Sequence, residues 1–359
     1  MPRFENNILG LIPQTDWLQV GFNVARPNDP LEALIGDQKT DNLVAEWETI
    51  AAQYQIPVMA QFHAFDSEAQ KTFRIPVDSH NIEKGLIKVK INQSERLRAL
   101  MGRGVQNEEA LYNYVFDDGW RLADQVFTRS KVAKAEMLAT GKVTIKENNL
   151  DLTVDYGLAD TQKIDIDFSD DADIFAQIQE IIDTARSNGV ILNGMVVSGS
   201  TLTKIRKHVS VQKAINGNNL LGAIVKLADL EAFFQTEFGI GRIIVDDLTY
   251  GVDNGFGDDG RPSVTVKRYF PENTISFVGI NQSGRLGVGL WGNPPEIDAE
   301  NFYKGQTSSA SPYVYVSQKA EWDPAVIWTK ATGLYMPVLY NPQSLYIATL
   351  VDDEDSSGT

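Results

Sequence analysis

An acidic cluster is the first candidate for chemistry, because two neighbouring carboxylates can serve as a general acid and a general base. The cluster consists of Asp165, Asp167, Asp170, Asp171 and Asp173. A helical pattern of apolar residues begins near Asp173, and aspartate is favoured before and within a first helical turn, where it accepts hydrogen bonds from free amide groups. Helix capping therefore explains the cluster, and we assign it no catalytic role.

Two glycine-rich stretches resemble ligand-binding loops in composition only. Residues 287–292 fit the pattern G-x-G-x-x-G, but a dinucleotide-binding loop needs a helix after it, and Pro294 and Pro295 exclude one. Residues 253–260 are rich in Asp and Gly, as calcium loops are, but the glutamate that closes an EF-hand loop is missing. We predict a glycine-rich turn at the first stretch and a mobile polar loop at the second.

Histidine and cysteine offer no further site. The three histidines, His63, His80 and His208, are far apart in sequence and lack a metal-ligand spacing. A Ser-His-Asp triad assembled in space stays open, although no G-x-S-x-G motif accompanies it. Because the chain has no cysteine, disulfides, thiol nucleophiles and cysteine zinc sites are excluded. We therefore predict no catalytic, cofactor-binding or metal-binding residue, and we expect that the protein is not an enzyme.

Composition and charge further restrict the class of protein to which this chain can belong. The 359 residues, 43% of them hydrophobic, can form a sizeable core in two domains or in one domain with long excursions. The formal net charge of −16 argues against a nucleic-acid-binding protein, which needs clustered Lys and Arg. The first residues lack a signal-peptide pattern, and no apolar run reaches the roughly 18 residues of a membrane helix. We expect the chain to be made and folded in a cytoplasm.

The first ninety residues are predicted as an arm, a helix and a long extended excursion. Residues 1–40 carry turn-forming residues and scattered apolar residues that cannot form a core alone. Apolar residues at helical spacing predict a helix over 41–54. Two strands are predicted at 56–65 and 71–77, followed by a third at 85–91. Because an isolated pair of strands is only marginally stable, we expect the long pair to lie on a partner.

The rest of the chain alternates helical and extended patterns, which is typical of an α+β protein. The longest helix signal spans 107–140, a length of roughly 50 Å, with Lys131 and Lys134 outside its apolar stripe. A hairpin with Asn148 at its turn follows. Further helices are predicted at 173–188, 201–208 and 226–237, and further strands at 194–198, 242–246, 264–269, 274–278, 313–317, 325–329 and 345–350.

Seven stretches, read in order, carry a resemblance to a known family. They are 72–84 (TFRIPVDSHNIEK), 136–145 (EMLATGKVTI), 269–273 (YFPEN), 289–296 (GLWGNPPE), 321–324 (EWDP), 336–338 (MPV) and 341–347 (NPQSLYI). In this order they resemble the lambda-type major capsid proteins of tailed bacteriophages, the protein E family. The resemblance covers nearly the whole chain from about residue 40, and residues 1–40 match least.

The resemblance implies the Hong Kong 97-type capsid fold, an α+β fold. It has an N-terminal arm, an extended loop, a peripheral domain with a long spine helix, and an axial domain. The implied boundaries are 1–45 for the arm, 46–95 for the extended-loop region, 96–165 with 310–359 for the peripheral domain, and 166–309 for the axial domain. The arm, the protruding strands and the long helix predicted from the residues alone agree with this architecture.

The resemblance also implies a structural function. Copies of the chain would assemble as pentamers and hexamers into an icosahedral shell, the virion capsid, in the cytoplasm of a bacterial host. The shell would enclose double-stranded DNA without binding its sequence, and an acidic wall would repel the genome. Further partners would be a separate scaffolding protein, a portal protein and a decoration protein, with no membrane. Segments too thin to form a core predict contacts between subunits at Trp17, Phe62, Phe65, Phe73 and Arg74.

Three other interpretations stay open at this point. An encapsulin has the same fold and forms a shell around an enzyme cargo instead of a genome. A monomeric enzyme, such as a carbohydrate-active one, would show a pocket with perturbed carboxylates. A phage tail or baseplate protein would be richer in strands and poorer in long helices.

Overall fold

The computed structural model describes residues 29–49, 59, 74, 78–93, 108–148, 150–217, 222–256, 261–280, 285–296, 307–310, 312–321, 323 and 326–351. Helices and strands are both abundant in this part of the chain, so the α+β class is confirmed. The helices are α1 (Glu108–Thr140), α2 (Ile174–Ser187), α3 (Gly199–Lys207), α4 (Val209–Asn216) and α5 (Leu227–Phe233, continued by a π-helical turn over Phe234–Phe238). The strands are β1 (Ile35–Lys39), β2 (Val44–Thr49), β3 (Asp78–Glu83), β4 (Gly85–Gln93), β5 (Lys142–Glu147), β6 (Leu150–Asp155), β7 (Lys163–Asp167), β8 (Gly194–Val197), β9 (Arg242–Val245), β10 (Thr249–Phe256), β11 (Pro262–Arg268), β12 (Thr274–Val278), β13 (Gly287–Gly292), β14 (Thr307–Ala310), β15 (Tyr315–Glu321), β16 (Val326–Leu339) and β17 (Leu345–Val351).

The long helix α1 confirms the strongest helical pattern of the sequence. It contains no proline and one glycine, Gly119, and its 33 residues correspond to about 50 Å. Leu122, Val126 and Met137 lie on its buried side. The helix ends where Gly141 adopts a φ of +70° and its amide donates to the carbonyl of Met137 at 3.0 Å, a left-handed C-terminal cap.

Helix α1 packs against a six-stranded sheet that holds the first hydrophobic core. The strand order is β1-β13-β16-β15-β14, and β4 also pairs with β16. Strand β4 runs antiparallel to β16, from Gly85 opposite Tyr335 to Gln93 opposite Ile327. The strand predicted at 325–329 therefore forms only the start of the long central strand β16, to which β4, β13 and β15 are all hydrogen-bonded.

A second sheet of five strands carries the second core. Its order is β7-β17-β12-β8-β9, with β7 and β9 at its edges. Helix α2 covers this sheet with Ile174, Ile178 and Ile182, all of them buried. The Oγ of Ser276 in β12 donates to the carbonyl of Leu138 in α1 at 2.7 Å, so a buried hydrogen bond joins the second sheet to the long helix.

Three antiparallel strand pairs stand outside the two sheets: β2–β3, β5–β6 and β10–β11. The pair β5–β6 is the predicted hairpin, and Asn148 adopts a φ of +50° at its turn. Strands β2 and β3 pair from Val44 opposite Glu83 to Thr49 opposite Asp78. The chain therefore leaves this pair after Thr49 and returns to it at Asp78.

The predicted helix over 41–54 is wrong where the structure describes it, because Val44–Thr49 forms strand β2. Along this strand Glu46 and Glu48 are exposed, while Trp47 between them is half-buried, which is the alternation of a strand with one covered face. The apolar spacing fits a helix as well as a strand. The backbone hydrogen bonds offered by β3 decide between the two.

Both predictions for the glycine-rich stretches also need correction. Residues 287–292 form strand β13 between β1 and β16 instead of a turn. A Cβ atom on Gly287 would overlap the carbonyl oxygen of Val338, so glycine permits the close approach of β16. Residues 253–256 belong to β10 and pair with β11, and therefore do not form a mobile loop, whereas 257–260 lie outside the described residues.

Each of the two sheets contains strands from segments that are distant in sequence. Strand β13 pairs with β1 and β16 in the first sheet, although it lies in the segment 166–309. Strand β17 pairs with β12 and β7 in the second sheet, although it lies in the segment 310–359. The domain boundaries drawn from the family resemblance stay a prediction.

Candidate assembly surfaces

The acidic cluster contains the cap of helix α2, as its sequence context predicts. The Oδ1 of Asp173 accepts hydrogen bonds from the amides of Phe175 and Ala176 at 3.1 and 3.2 Å. Asp165 and Asp167 lie exposed on the edge strand β7. Among the residues that the structure describes, no three His, Asp or Glu side chains are placed to share a metal ion.

The two described histidines take part in packing. His80 stacks on Trp47 across the pair β2–β3, with ring centroids 5.4 Å apart. His208 is the residue that caps α4, and its Nε2 lies 2.9 Å from the carbonyl oxygen of Ser169. His63 lies outside the described residues. Both described histidine rings therefore contact residues of neighbouring elements and serve the packing of the fold.

The predicted contact residues lie almost entirely outside the described part of the chain. Trp17, Phe62, Phe65 and Phe73 are not described, and Arg74 is described and exposed. Their contacts with a neighbouring subunit stay a prediction. Four of these residues, all except Trp17, belong to the stretch of sequence between the paired strands β2 and β3.

A buried ion-pair network joins the N-terminal segment to α1. The Nζ of Lys134 lies 3.0 Å from Asp37 and 3.3 Å from Asp29, and the lysine side chain is 2% exposed. Asp29 also caps the 3-10 turn Pro30–Ala33 by accepting from the amide of Leu31. The segment that begins at Asp29 is therefore held against the long helix by charge as well as by packing.

A second buried lysine joins α1 to the loop after β9. The Nζ of Lys131 lies 3.5 Å from Asp246 and 4.1 Å from the ring centroid of Tyr269. Burial raises the pKa of the Asp246 carboxyl above its usual range, and the charge of Lys131 acts in the opposite direction. Lys131 and Lys134 lie outside the apolar stripe predicted for the helix, yet both side chains are buried and only 2% exposed.

The hairpin β10–β11 exposes large apolar side chains. Phe256, at the end of β10, is 79% exposed, and Val264 and Val266 on β11 are 58% and 67% exposed. The two valines lie on one face of the hairpin, where Gly251 stands opposite Val266 and adds no side chain. A two-stranded ribbon is marginally stable in water, so a partner that covers this face would stabilise it.

A cleft with a mixed polar and apolar lining lies beside α1, between β4, the hairpin β5–β6 and the end of β16. Its lining includes Gly85, Ala133, Val143, Ile145, Leu150 and Met336. Arg129 and Glu147 form an ion pair of 3.3 Å on its wall. Leu86 and Leu150 are exposed at the cleft, which therefore presents apolar surface to the outside of the subunit.

Comparison with known sequences decides the family. A sequence model of the phage major capsid protein E family matches residues 85–350, well over half of the chain. The chain belongs to this family. Proteins of this family are structural capsid components, so the functional surfaces of this capsid protein are those that meet other copies. No curated protein matches its sequence significantly.

Solved structures of low sequence identity share the fold of this capsid protein. One is a protein proposed to be the capsid protein of a prophage in E. coli CFT073, with a TM-score of 0.56 and 13% identity over 94% of this chain and 97% of that chain. Another is a phage-related protein from Bordetella bronchiseptica RB50, with a TM-score of 0.55 and 8% identity over 93% of this chain and 96% of that chain. The Hong Kong 97-type capsid fold is thereby confirmed. None of the described helices combines the length and the hydropathy that crossing a membrane requires.

Proposed function

We propose that this capsid protein assembles as pentamers and hexamers into an icosahedral shell that encloses the double-stranded DNA of a tailed phage. The match to the capsid family over residues 85–350 is the observation that carries the proposal. The function is structural, because the shape and the surfaces of each copy determine how it packs against neighbouring copies. No reaction is needed, and we propose that the protein is not an enzyme.

The domain assignment belongs to the same proposal. The arm comprises 1–45, the extended-loop region 46–95, the peripheral domain 96–165 with 310–359, and the axial domain 166–309. Helix α1 would be the spine helix. The pairing of β2 with β3 supports the extended loop, because it brings the two ends of that segment together. The presence of two separate hydrophobic cores supports the division into two domains.

The remaining partners are proposed from the family resemblance. They are a separate scaffolding protein, a portal protein and a decoration protein, with assembly in the cytoplasm of the bacterial host. The net charge of −16 supports a wall that holds DNA without binding it, because a negative surface repels the phosphate backbone. No cofactor is required for this role.

The content of assembled particles tests the proposal. We would purify particles from phage-producing cells on a density gradient, treat them with nuclease, and analyse the protected nucleic acid and protein. The capsid function predicts nuclease-resistant double-stranded DNA of genome length. Particles that contain a folded enzyme and no DNA would contradict it and favour the encapsulin interpretation.

A further inference from the structure

We infer that residues 18–24 add as a strand to the free edge of β9, the outermost strand of the second sheet, in the same copy of the chain. The inference goes beyond the proposed function, because it concerns the single subunit and does not depend on the formation of shells. It rests on an open sheet edge, on the position of the described N-terminal segment beside that edge, and on the apolar pattern of residues 18–24.

The outer edge of β9 is open within the described part of the chain. Strand β9 pairs with β8 on one side only. The amide of Asp246, directly after β9, donates to the carbonyl of Val197 in β8 at 3.0 Å. Because successive residues of a strand direct their amides and carbonyls to opposite sides, those of Ile243 and Val245 point away from β8. No described residue forms a hydrogen bond with this outer side of β9, so it can accept a further strand.

The opposite edge of the same sheet, strand β7, is closed by a side chain. Gln177 of α2 accepts a hydrogen bond from the amide of Asp167 at 2.8 Å and donates one to the carbonyl of Asp167 at 3.0 Å. The exposed carboxylates of Asp165 and Asp167 also oppose pairing with another strand. In β9 the one charged residue is Arg242, at its first position. The two edges therefore differ, and β9 is the edge suited to strand addition.

The described N-terminal segment begins beside β9. Its first turn, Pro30–Ala33, lies against this strand. Burial raises the pKa of the Asp246 carboxyl, and the charge of Asp29 acts in the same direction, which places Asp29 near the end of β9. Residues 25–28 separate Val24 from Asp29 and can span about 13 Å. Residues 18–24 of the same copy can therefore reach the free edge of β9.

Residues 18–24 carry the alternation of a strand with one apolar face. Val and Phe, which are favoured in strands, supply most of that face. Apolar side chains occupy every second position, and polar residues or glycine lie between them: Leu18, Val20, Phe22 and Val24 alternate with Gln19, Gly21 and Asn23.

The surface beside β9 can receive such a face. Ile243 and Val245 are half-buried and pack against the second core. A groove of mixed polar and apolar lining runs between α5 and the start of β9, and Ala228, Ala232 and Ile243 form its apolar part. The apolar face of an added strand would cover Ile243 and Val245. Because Val24 would lie beside the end of β9 near Asp246, the added strand would run parallel to β9.

Disulfide trapping tests the pairing directly, because the natural chain contains no cysteine. We would introduce Ile243→Cys into the full chain, add one further cysteine at a time over 20–24, and oxidise unassembled subunits mildly. A bridge requires the two Cα atoms to lie within about 7 Å, and neighbouring strands lie about 4.8 Å apart. A bridge within one chain migrates faster than the reduced chain on a denaturing gel, whereas a bridge between copies gives a covalent dimer.

The inference predicts bridges within one chain and a yield that alternates along the segment. The yield should be highest at one of Val20, Phe22 and Val24, and low at Gly21 and Asn23, whose side chains would point to the other face. Equal yields at all five positions, or none at any, would overturn the inference. Covalent dimers in place of the bridge within one chain would overturn the assignment to the same copy.

Hydrogen exchange of the full chain provides a second readout that needs no cysteine. Asn23→Pro removes an amide and fixes the backbone, so it should break the added pairing. We expect the amides of Ile243 and Val245 to exchange at least about tenfold faster than in the wild-type chain. The matched control Asn7→Pro lies outside 18–24 and should change these rates by less than about twofold. Unchanged amides in β12, at the centre of the sheet, would verify that both variants fold, and equal exchange at Ile243 and Val245 in the two variants would overturn the inference.

Discussion

Replacing Lys134 by methionine should remove a charge that the largely buried carboxylates of Asp29 and Asp37 share. The Nζ of Lys134 lies 3.0 Å from Asp37 and 3.3 Å from Asp29, and the lysine side chain is 2% exposed. Methionine keeps an unbranched side chain of similar length, so the change removes charge and preserves most of the packing. The substitution therefore isolates the contribution of the ion pairs that attach the N-terminal segment to α1.

The expected magnitude follows from these distances. At an effective dielectric constant of about 20, each of the two attractions amounts to about 5 kcal/mol. In the intact subunit the cost of burying the charges offsets much of this gain. Removal of the ammonium group leaves both carboxylates largely buried without it, and breaking a buried pair in this way costs about 3–5 kcal/mol. We expect Lys134→Met to lower the free energy of unfolding of the subunit by about 4 kcal/mol.

Urea unfolding of unassembled subunits, followed by tryptophan fluorescence, would measure this loss. The matched control is Lys146→Met, because the Nζ of Lys146 lies 4.0 Å from Asp151 and both side chains are exposed. An exposed pair contributes little, so the control should change the free energy by less than about 0.5 kcal/mol. Adding Asp37→Asn to Lys134→Met should recover part of the loss, because it removes one of the two negative charges that Lys134 balances. A loss for Lys134→Met no larger than that of the control would refute the reasoning.

Substitutions at four further positions test the fold by urea unfolding and circular dichroism. The hydroxyl of Tyr156 donates to the carbonyl of Pro337 at 2.5 Å in a buried site, so Tyr156→Phe should cost about 1–2 kcal/mol. The buried hydroxyl of Tyr335 has no hydrogen-bond partner among the described residues, so Tyr335→Phe should be neutral or stabilising, and a loss equal to that of Tyr156→Phe would contradict this. Gly287→Ala should sharply reduce the yield of folded subunit, because its Cβ meets the backbone of β16, and a normal yield would contradict the account of β13. Asp173→Ala should cost about 1 kcal/mol, because α2 loses its cap, and Asp173→Asn should restore most of it.

The elements that could be predicted from the sequence are those with a local signal. Helix α1 is predicted by a long apolar stripe without proline and by Gly141 at its end. Helix α2 is predicted by its apolar spacing and by Asp173 before it. The hairpin β5–β6 is predicted by alternation on both sides of Asn148. In each case the stabilising hydrogen bonds and caps lie within a short stretch of chain.

The predictions that were wrong, and the burial of two lysines of α1, concern contacts between distant segments. The segment around Trp47 is a strand because β3 provides its hydrogen bonds, and nothing within 41–54 alone indicates this. Gly287 serves the close approach of β16, which sequence composition cannot distinguish from a turn. Lys131 and Lys134 are buried because Asp246, Asp37 and Asp29 reach them from elements far along the chain.

The assembly surfaces were the features of the molecule that could least be predicted from the sequence. Phe256 falls in a stretch whose composition indicates a polar loop, and only its pairing with β11 places it at the end of an exposed hairpin. The cleft has no single sequence signal, because α1, β4, β16 and the hairpin β5–β6 all contribute to it. The resemblance to the capsid family indicated that the functional surfaces are those that contact other copies of the chain. The sequence pattern alone did not indicate this.

Electron microscopy of the purified protein tests the central claim most directly. We would express the chain alone and together with its proposed scaffolding protein, and examine both by negative staining and light scattering. The account predicts rings of five and six subunits, or closed shells, in at least one of these conditions. A monodisperse monomer under every condition would contradict it.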